Sequence, residues 1–318
     1  MKKIVALMGA EALGYEMQEF AKRDDVEFYC STEKEQSKVI EIVRDADVIL
    51  FTDVSLNSEV IDRLEKCKLI IRYGIGYDNV DTKRAAEKGI IVCNAPNYGV
   101  VDVAEHAMSL IMACAKRLIY MNDCVRDKFW NIGAMGSSCR LAGKKVGFVG
   151  FGKIARCVCE RTNAFQAKAI VYDPFVSENC LKEYKAESVS LNTLLKEADF
   201  VTLHVPLSDK TRHMLGKDEF AKMKNTAYII NTARGGLIDE TELIDALENG
   251  IIAGAGLDVF ETENSNLDER ILRMQNVVLT PHVAWNTKEA SVALHREVTD
   301  NVIRFLDGER PESIVNII

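Results

Sequence analysis

Four side chains able to do acid–base and anion chemistry follow short apolar runs in the second half of this chain. Arg234 follows AYIIN (227–231), Asp258 ends IAGAGLDV (252–259 with Val259), Glu263 lies just beyond it, and His282 follows VVL (277–279). An arginine can grip a carboxylate with two parallel N–H bonds and polarise a neighbouring carbonyl. A histidine exchanges protons near neutral pH. A carboxylate beside it would orient the ring and favour its charged form. Singly, each has a plain structural reading: a surface ion-pair arginine, a packed histidine, a solvated loop glutamate in a run with Glu261. Their shared placement past apolar runs is what selects the chemical reading.

The elements that must position them are clearest around residues 145–173. The apolar run Lys145 to Val149 leads into Gly150-Phe151-Gly152-Lys153-Ile154-Ala155, a G-x-G-x-x-G/A pattern. A helical stretch follows to Arg161, then a second run, Ala167 to Tyr172, ending on Asp173. Gly150 permits a sharp turn, Gly152 lets a pyrophosphate approach the backbone, and small Ala155 lets the helix pack on the strand. The helix N-terminus presents N–H groups to phosphate. Asp173, about 20 residues beyond the glycines, is placed to accept from both ribose hydroxyls and to repel a 2′-phosphate. The unit predicts NAD as cofactor, in preference to NADP. With a nicotinamide present, Arg234, Glu263 and His282 suit hydride exchange with a 2-hydroxy or 2-keto acid.

The flanking chain alternates strand and helix signals. Strands are expected at 4–8, 27–30, 47–51, 69–72 and 90–93, and helices at 11–23, 35–45, 58–66 and 82–88. After 69–72 comes Tyr73-Gly74-Ile75-Gly76, which reads equally as a plain tight turn or as a backbone anion cradle. Asn94-Ala95-Pro96-Asn97 marks a boundary, and a long helix is expected from Val100 to Arg117. Residues 129–140 read as a loop. Beyond Asp173, helices are expected at 191–198, 217–223, 239–248 and 286–306, with strands at 199–205, 227–231, 252–259 and 277–279. The last helix is expected to return to the first domain. This alternation implies parallel sheets with helices on both faces.

The bulk properties fit. The 318 residues are 47% hydrophobic and 28% charged, with net charge −8. That length suits two domains. The acidic balance argues against nucleic acid or an anionic membrane as principal partner, and no run reaches the ~20 apolar residues of a membrane span. Glu11 interrupts the N-terminal apolar run, so a first strand is expected there and not a signal peptide. Nine cysteines, without C-x-x-C, read as free thiols of a cytoplasmic protein. No metal site is expected.

The chain resembles the D-isomer-specific 2-hydroxyacid dehydrogenases almost end to end. The matching stretches are RYGIGYDNVD (72–81), GIIVCNAPN (89–97), VAEHA (103–107), VGFVGFGKIA (146–155), VTLHVPL (201–207), NTARGGLIDE (231–240), GAGLDVFETE (254–263) and LTPHVAWNT (279–287). The resemblance implies an α/β chain of two doubly wound parallel-sheet domains. An NAD-binding Rossmann domain (98–286) would be inserted into a flavodoxin-like substrate domain (1–97 and 287–318). It places the catalytic arginine on Arg234, the supporting glutamate on Glu263 and the proton donor on His282. Ile75 and Gly76 would hold the substrate carboxylate with Arg234. Gly150, Gly152, Lys153, Ile154, Asp173, Val205, Pro206, Thr232, Ala233, Arg234, Asp258 and His282 to Trp285 (with Val283 and Ala284) would contact the cofactor. A homodimer is implied, paired through the nucleotide domains and the helix after Pro96.

Three features depart from the family pattern. Ala155 replaces the usual third glycine, Asn264 stands where a proline often follows the glutamate, and 263–274 is unusually acidic and polar. Glu263 argues against the formate dehydrogenase branch, which has glutamine there. The LTPHVAW tryptophan resembles that of glycerate dehydrogenases, so hydroxypyruvate or glyoxylate is the expected substrate. 3-Phosphoglycerate, for which Arg72 is the nearby basic residue, and D-lactate are the alternatives. A function of another class is an NAD(H)-sensing, corepressor-like binding protein.

Overall fold

A computed structural model describes residues 1–133, 136–263 and 267–316. The chain divides into two units, 1–99 with 287–318, and 100–286. The division falls two residues after Asn97. Asn97 donates through Nδ2 to Glu297 Oε1 (3.0 Å), so this segment is still tied to the first unit.

The first unit starts β1 (Lys2–Leu7), α1 (Gly14–Phe20), β2 (Val26–Cys30), α2 (Gln36–Val43), β3 (Val48–Phe51), α3 (Ser58–Asp62), β4 (Leu69–Arg72), α4 (Thr82–Glu87) and β5 (Ile91–Cys93). The strands pair in parallel in the order β2-β1-β3-β4-β5. The central runs, such as VILF of β3, are buried throughout, as a sheet covered on both faces requires. The expected helix 11–23 is instead a 3₁₀ turn at Ala10–Ala12 followed by α1. Leu13, between them, has φ −110° and ψ 28°, off the helical values.

The second unit holds α5 (Val100–Lys116), α6 (Leu118–Arg126), β6 (Lys145–Val149), α7 (Lys153–Ala164), β7 (Lys168–Tyr172), α8 (Glu178–Glu183), β8 (Ala186–Ser188), α9 (Leu191–Glu197), β9 (Phe200–Leu203), α10 (Lys217–Phe220), β10 (Tyr228–Asn231), α11 (Glu240–Glu248), β11 (Gly254–Leu257), α12 (Glu269–Arg273) and β12 (Val277–Leu279). The chain then re-enters the first unit as α13 (Lys288–Leu306). The seven strands are parallel, ordered β12-β11-β10-β9-β6-β7-β8. One face packs Leu194, Leu203, Leu237 and Ile244; the other packs Leu110, Ile111, Phe148 and Val158. Both sheets are doubly wound, with chain direction reversing beside β1 in the first and β6 in the second. Ligands bind in such sheets past the C-terminal strand ends near the reversal.

Candidate active site

In the second unit β10, β11 and β12 are neighbours, so the loops leaving their C-terminal ends emerge side by side. Arg234 follows β10, Asp258 and Glu263 follow β11, and His282 follows β12. His282 Nδ1 lies 2.7 Å from Glu263 Oε2, and both side chains are partly exposed. A carboxylate only accepts, so Nδ1 carries the proton in this contact. That leaves Nε2 as the nitrogen able to exchange a proton with a bound molecule. Glu261, two residues earlier, is engaged elsewhere: its side chain meets His213 Nε2, and its N–H donates to Glu240 Oε2 (3.0 Å). The structure thus sets Glu263, and not Glu261, against His282. Asn264 lies outside the described residues.

His282 has φ +54°, a left-handed conformation uncommon outside glycine. Asp258 holds it there. The Asp258 carbonyl accepts the His282 N–H at 2.7 Å. Its fully buried carboxylate accepts from Val283 N (3.0 Å), Ala284 N (2.9 Å) and Thr280 Oγ1 (2.5 Å). Since Thr280 donates its proton to Asp258, its oxygen accepts from His106 Nε2, 2.9 Å away. Asp258 was expected among cofactor contacts; its carboxylate is turned inward to the histidine loop. His106, in VAEHA, and Thr280 were not singled out. They lie 174 positions apart, and neither residue carries a local signal of the contact.

Arg234 is half-buried, extended at φ −149° and ψ 139°, and its Nη1 donates to Ala233 O at 2.8 Å. Asn231 braces its loop, donating to Arg234 O (2.9 Å) and accepting from Ala233 N (3.0 Å).

The nucleotide loop follows β6. Gly150 has φ +86°, and a Cβ there would lie 2.7 Å from His204 O and from Val205 Cγ1. Both conformation and space therefore demand glycine. No side chain caps the N-terminus of α7, and a Cβ on Gly152 would meet open space. Ala155 is fully buried. Asp173 Oδ2 accepts from Phe151 N (2.7 Å) and Oδ1 from Phe175 N (2.8 Å). Each oxygen retains a second lone pair for a ribose hydroxyl. Thr232 Oγ1 is buried without a hydrogen-bond partner, an unpaired group of the sort a ligand satisfies. Val205, Ala233 and Trp285 are half-buried, Lys153 and Pro206 are exposed, and Ile154 is half-buried. The open glycine turn, uncapped helix, acid and orphaned hydroxyl fit a dinucleotide. His204, beside the turn, is driven by burial to a pKa of about 3, so its ring is neutral at ordinary pH.

In the first unit, the loop after β4 shows its polarity. Gly74 O accepts from Ala95 N (3.0 Å), and Ile75 O accepts from Asn94 Nδ2 (2.6 Å). These two bonds fix the Gly74 and Ile75 carbonyls, as a backbone anion cradle at Ile75 and Gly76 would require. A Cβ on Gly74 would lie 1.6 Å from Arg72 Nη1, so a guanidinium rests on this loop.

The chain is similar to known proteins over most of its length. Residues 108–284 match the family model for the D-isomer specific 2-hydroxyacid dehydrogenase, NAD binding domain. A hydroxypyruvate reductase of Thermotoga maritima is 38% identical over 275 residues, covering 86% of this chain and 89% of the relative. A D-3-phosphoglycerate dehydrogenase of Methanocaldococcus jannaschii is 40% identical over 284 residues; the match covers 89% of this chain but 54% of that longer protein. The crystal structure of a glyoxylate reductase from Paecilomyes thermophila superposes with a TM-score of 0.90 at 28% identity, over 99% of this chain and 98% of that one. Among the described residues no helix is long and apolar enough to cross a membrane. With its two doubly wound sheets, its NAD-binding unit and these relatives, the chain belongs to the NAD-dependent D-isomer-specific 2-hydroxyacid dehydrogenases.

Proposed function

We propose that the chain reduces a small 2-keto acid, glyoxylate or hydroxypyruvate, to the D-2-hydroxy acid. The contact between His282 and Glu263 carries this reading. The residues of 1–97 and 287–318 serve the substrate, and 98–286 the cofactor. The N–H groups of Ile75 and Gly76 hold the substrate carboxylate, and Arg234 binds the carboxylate and polarises the carbonyl. NADH, held by residues of 98–286, would supply the hydride that the carbonyl carbon accepts. His282 gives the proton on Nε2 to the carbonyl oxygen, which becomes the hydroxyl. Glu263 keeps the ring oriented by accepting from Nδ1. Gly150, Gly152, Lys153, Ile154, Asp173, Val205, Pro206, Thr232 and Ala233 form the nucleotide surface. Trp285 and the backbone of 282–284 border its nicotinamide end.

The structural likeness to a glyoxylate reductase extends over nearly the whole of both chains, which favours the small substrates. A second reading rests on Arg72. Its guanidinium against Gly74 would suit a keto acid with a second anionic group, as in 3-phosphoglycerate chemistry. The test is NADH oxidation against glyoxylate, hydroxypyruvate, pyruvate, 2-ketoisocaproate and phosphohydroxypyruvate. A kcat/KM of ~10⁴ M⁻¹s⁻¹ or more with glyoxylate or hydroxypyruvate supports the first reading; preference for the phosphorylated acid supports the second. Slow turnover of all, with tight NADH binding, would favour the sensing role. His282→Ala should abolish turnover and spare NADH binding.

We further propose a homodimer, in the cytoplasm. Leu118, Ile119, Val125, Phe129, Trp130 and Ile132 are large apolar side chains exposed on and after α6, Trp130 by 78%. Such concentrated apolar exposure marks association surfaces. The nine free cysteines suit a reducing compartment.

A further inference from the structure

The first unit contains a buried polar cluster that the reaction does not use. Glu16, on α1, is fully buried. Its Oε1 accepts from the Tyr73 hydroxyl (2.9 Å) and from His295 Nδ1 (2.7 Å), on α13. Its Oε2 is buried without a hydrogen-bond partner. The rings of Tyr73 and His295 lie 5.6 Å apart, tilted by 59°. Burial, and then the adjacent Glu16, pushes the Tyr73 phenol well above its ordinary pKa, so it stays a donor. The thiol of Cys30, at the end of β2, is pushed up by burial and then by the charges of Glu11 and Glu16.

A buried carboxylate with one unsatisfied oxygen is an expensive way to fill a core. Well-packed apolar residues of similar volume are often as stable or more so, and an unpaired buried polar atom is destabilising. What the cluster supplies is direction. Tyr73 immediately precedes Gly74-Ile75-Gly76. The loop is fixed at Tyr73 N, which donates to Phe51 O (2.8 Å), and at the Gly74 and Ile75 carbonyls, held by Ala95 and Asn94. Glu16 fixes the remaining free end, the Tyr73 side chain, and anchors it to α13 through His295.

We propose that Glu16 is a positioning residue for the substrate loop, acting through Tyr73 and His295 to aim the Ile75 and Gly76 N–H groups. This rests on the reading that these N–H groups bind the substrate carboxylate. The resulting effect belongs to substrate affinity and not to cofactor affinity or the chemical step.

The experiment compares Tyr73→Phe, Glu16→Gln, their double variant and Gly76→Pro in the full chain. It measures KM for the best keto acid, kcat, the NADH dissociation constant by fluorescence, and Tm. Tyr73→Phe removes one hydroxyl and little volume. It should raise KM roughly tenfold, with kcat within about twofold and NADH binding unchanged. Glu16→Gln keeps an acceptor and should have a smaller effect, and the double variant should be no worse than Tyr73→Phe, since both act on one contact. Gly76→Pro deletes one of the two donors and should raise KM whatever Glu16 does. If Gly76→Pro raises KM while Tyr73→Phe and Glu16→Gln lower only Tm, the positioning role is overturned and the cradle stands. If Gly76→Pro leaves KM unchanged, the cradle reading falls and this inference with it. Equal losses in kcat and NADH binding from Tyr73→Phe would also overturn it.

Discussion

Gly235 lies backbone to backbone against Phe260: a methyl group on Gly235 would fall 1.9 Å from the Phe260 carbonyl carbon and 2.4 Å from Glu261 N. The loop carrying Arg234 is thereby seated on the segment leading to Glu263. Backbone cannot yield as a flexible side chain can. Gly235→Ala should therefore force the two loops apart and cost at least ~10²-fold in kcat/KM, since a displacement near 1 Å can cost that much. The far smaller change in NADH affinity would be read by fluorescence titration. Normal turnover in a folded Gly235→Ala protein would show that this seating does not set the site geometry.

The strands that carry the site are those the sequence shows most clearly. Leu69–Arg72, Lys145–Val149 and Val277–Leu279 have the bounds that their apolar runs predict, because strands buried on both faces need continuous apolar sequence. Elements with little buried surface were not legible. α6 buries only Cys124 and α12 only Ile271, and two of the three β8 residues are exposed. Within the site, residue types and spacing single out Arg234, Glu263 and His282. They could not show that Asp258 faces inward or that His106 reaches Thr280, since these contacts exist only once β11, β12 and α5 are assembled.

Asp173 has two tasks in the geometry. As the proposed ribose ligand its charge would oppose a 2′-phosphate, and its carboxylate holds the Phe151 and Phe175 N–H groups. Asp173→Ala should therefore narrow the NADH-over-NADPH ratio of kcat/KM and also weaken NADH itself by several-fold. Asp173→Asn keeps acceptor capacity and should narrow the ratio with less loss of NADH affinity. Steady-state kinetics with both cofactors would check this. An unchanged ratio in both variants would remove Asp173 from cofactor choice.

His204 gives stability a pH dependence of known sign. Burial holds its folded-state pKa near 3 against an ordinary 6.5. Below pH 6.5 the unfolded chain binds a proton that the folded chain refuses, so stability is full above 6.5 and declines as pH falls toward 3. The slope for one such group is at most ~1.4 kcal/mol per pH unit. His204→Gln removes this titration, so its Tm should fall less than the wild-type Tm between pH 7 and pH 4. Parallel curves would mean that the ring is protonated in the folded protein.

The chain of contacts from His106 to the His282 loop predicts a catalytic effect at a distance. His106 donates to Thr280 Oγ1, Thr280 donates to Asp258, and Asp258 accepts from Val283 and Ala284, the two residues that follow the strained His282 backbone. Thr280→Val keeps the shape and removes the hydroxyl. It removes the hydroxyl that links His106 to Asp258, whose nearer atoms are themselves 3.5 Å apart, a loss on the order of 1–3 kcal/mol. The left-handed His282 should then populate other conformations, and kcat should fall about 10- to 100-fold. Thr280→Ser restores the hydroxyl and should recover most of the rate; His106→Asn, with an amide donor, should lie between His106→Leu and wild type. Rates for the four variants, with Tm as control, separate the cases. If Thr280→Val lost Tm but not kcat, or if serine failed to rescue, the chain of contacts would be a packing feature with no hold on His282.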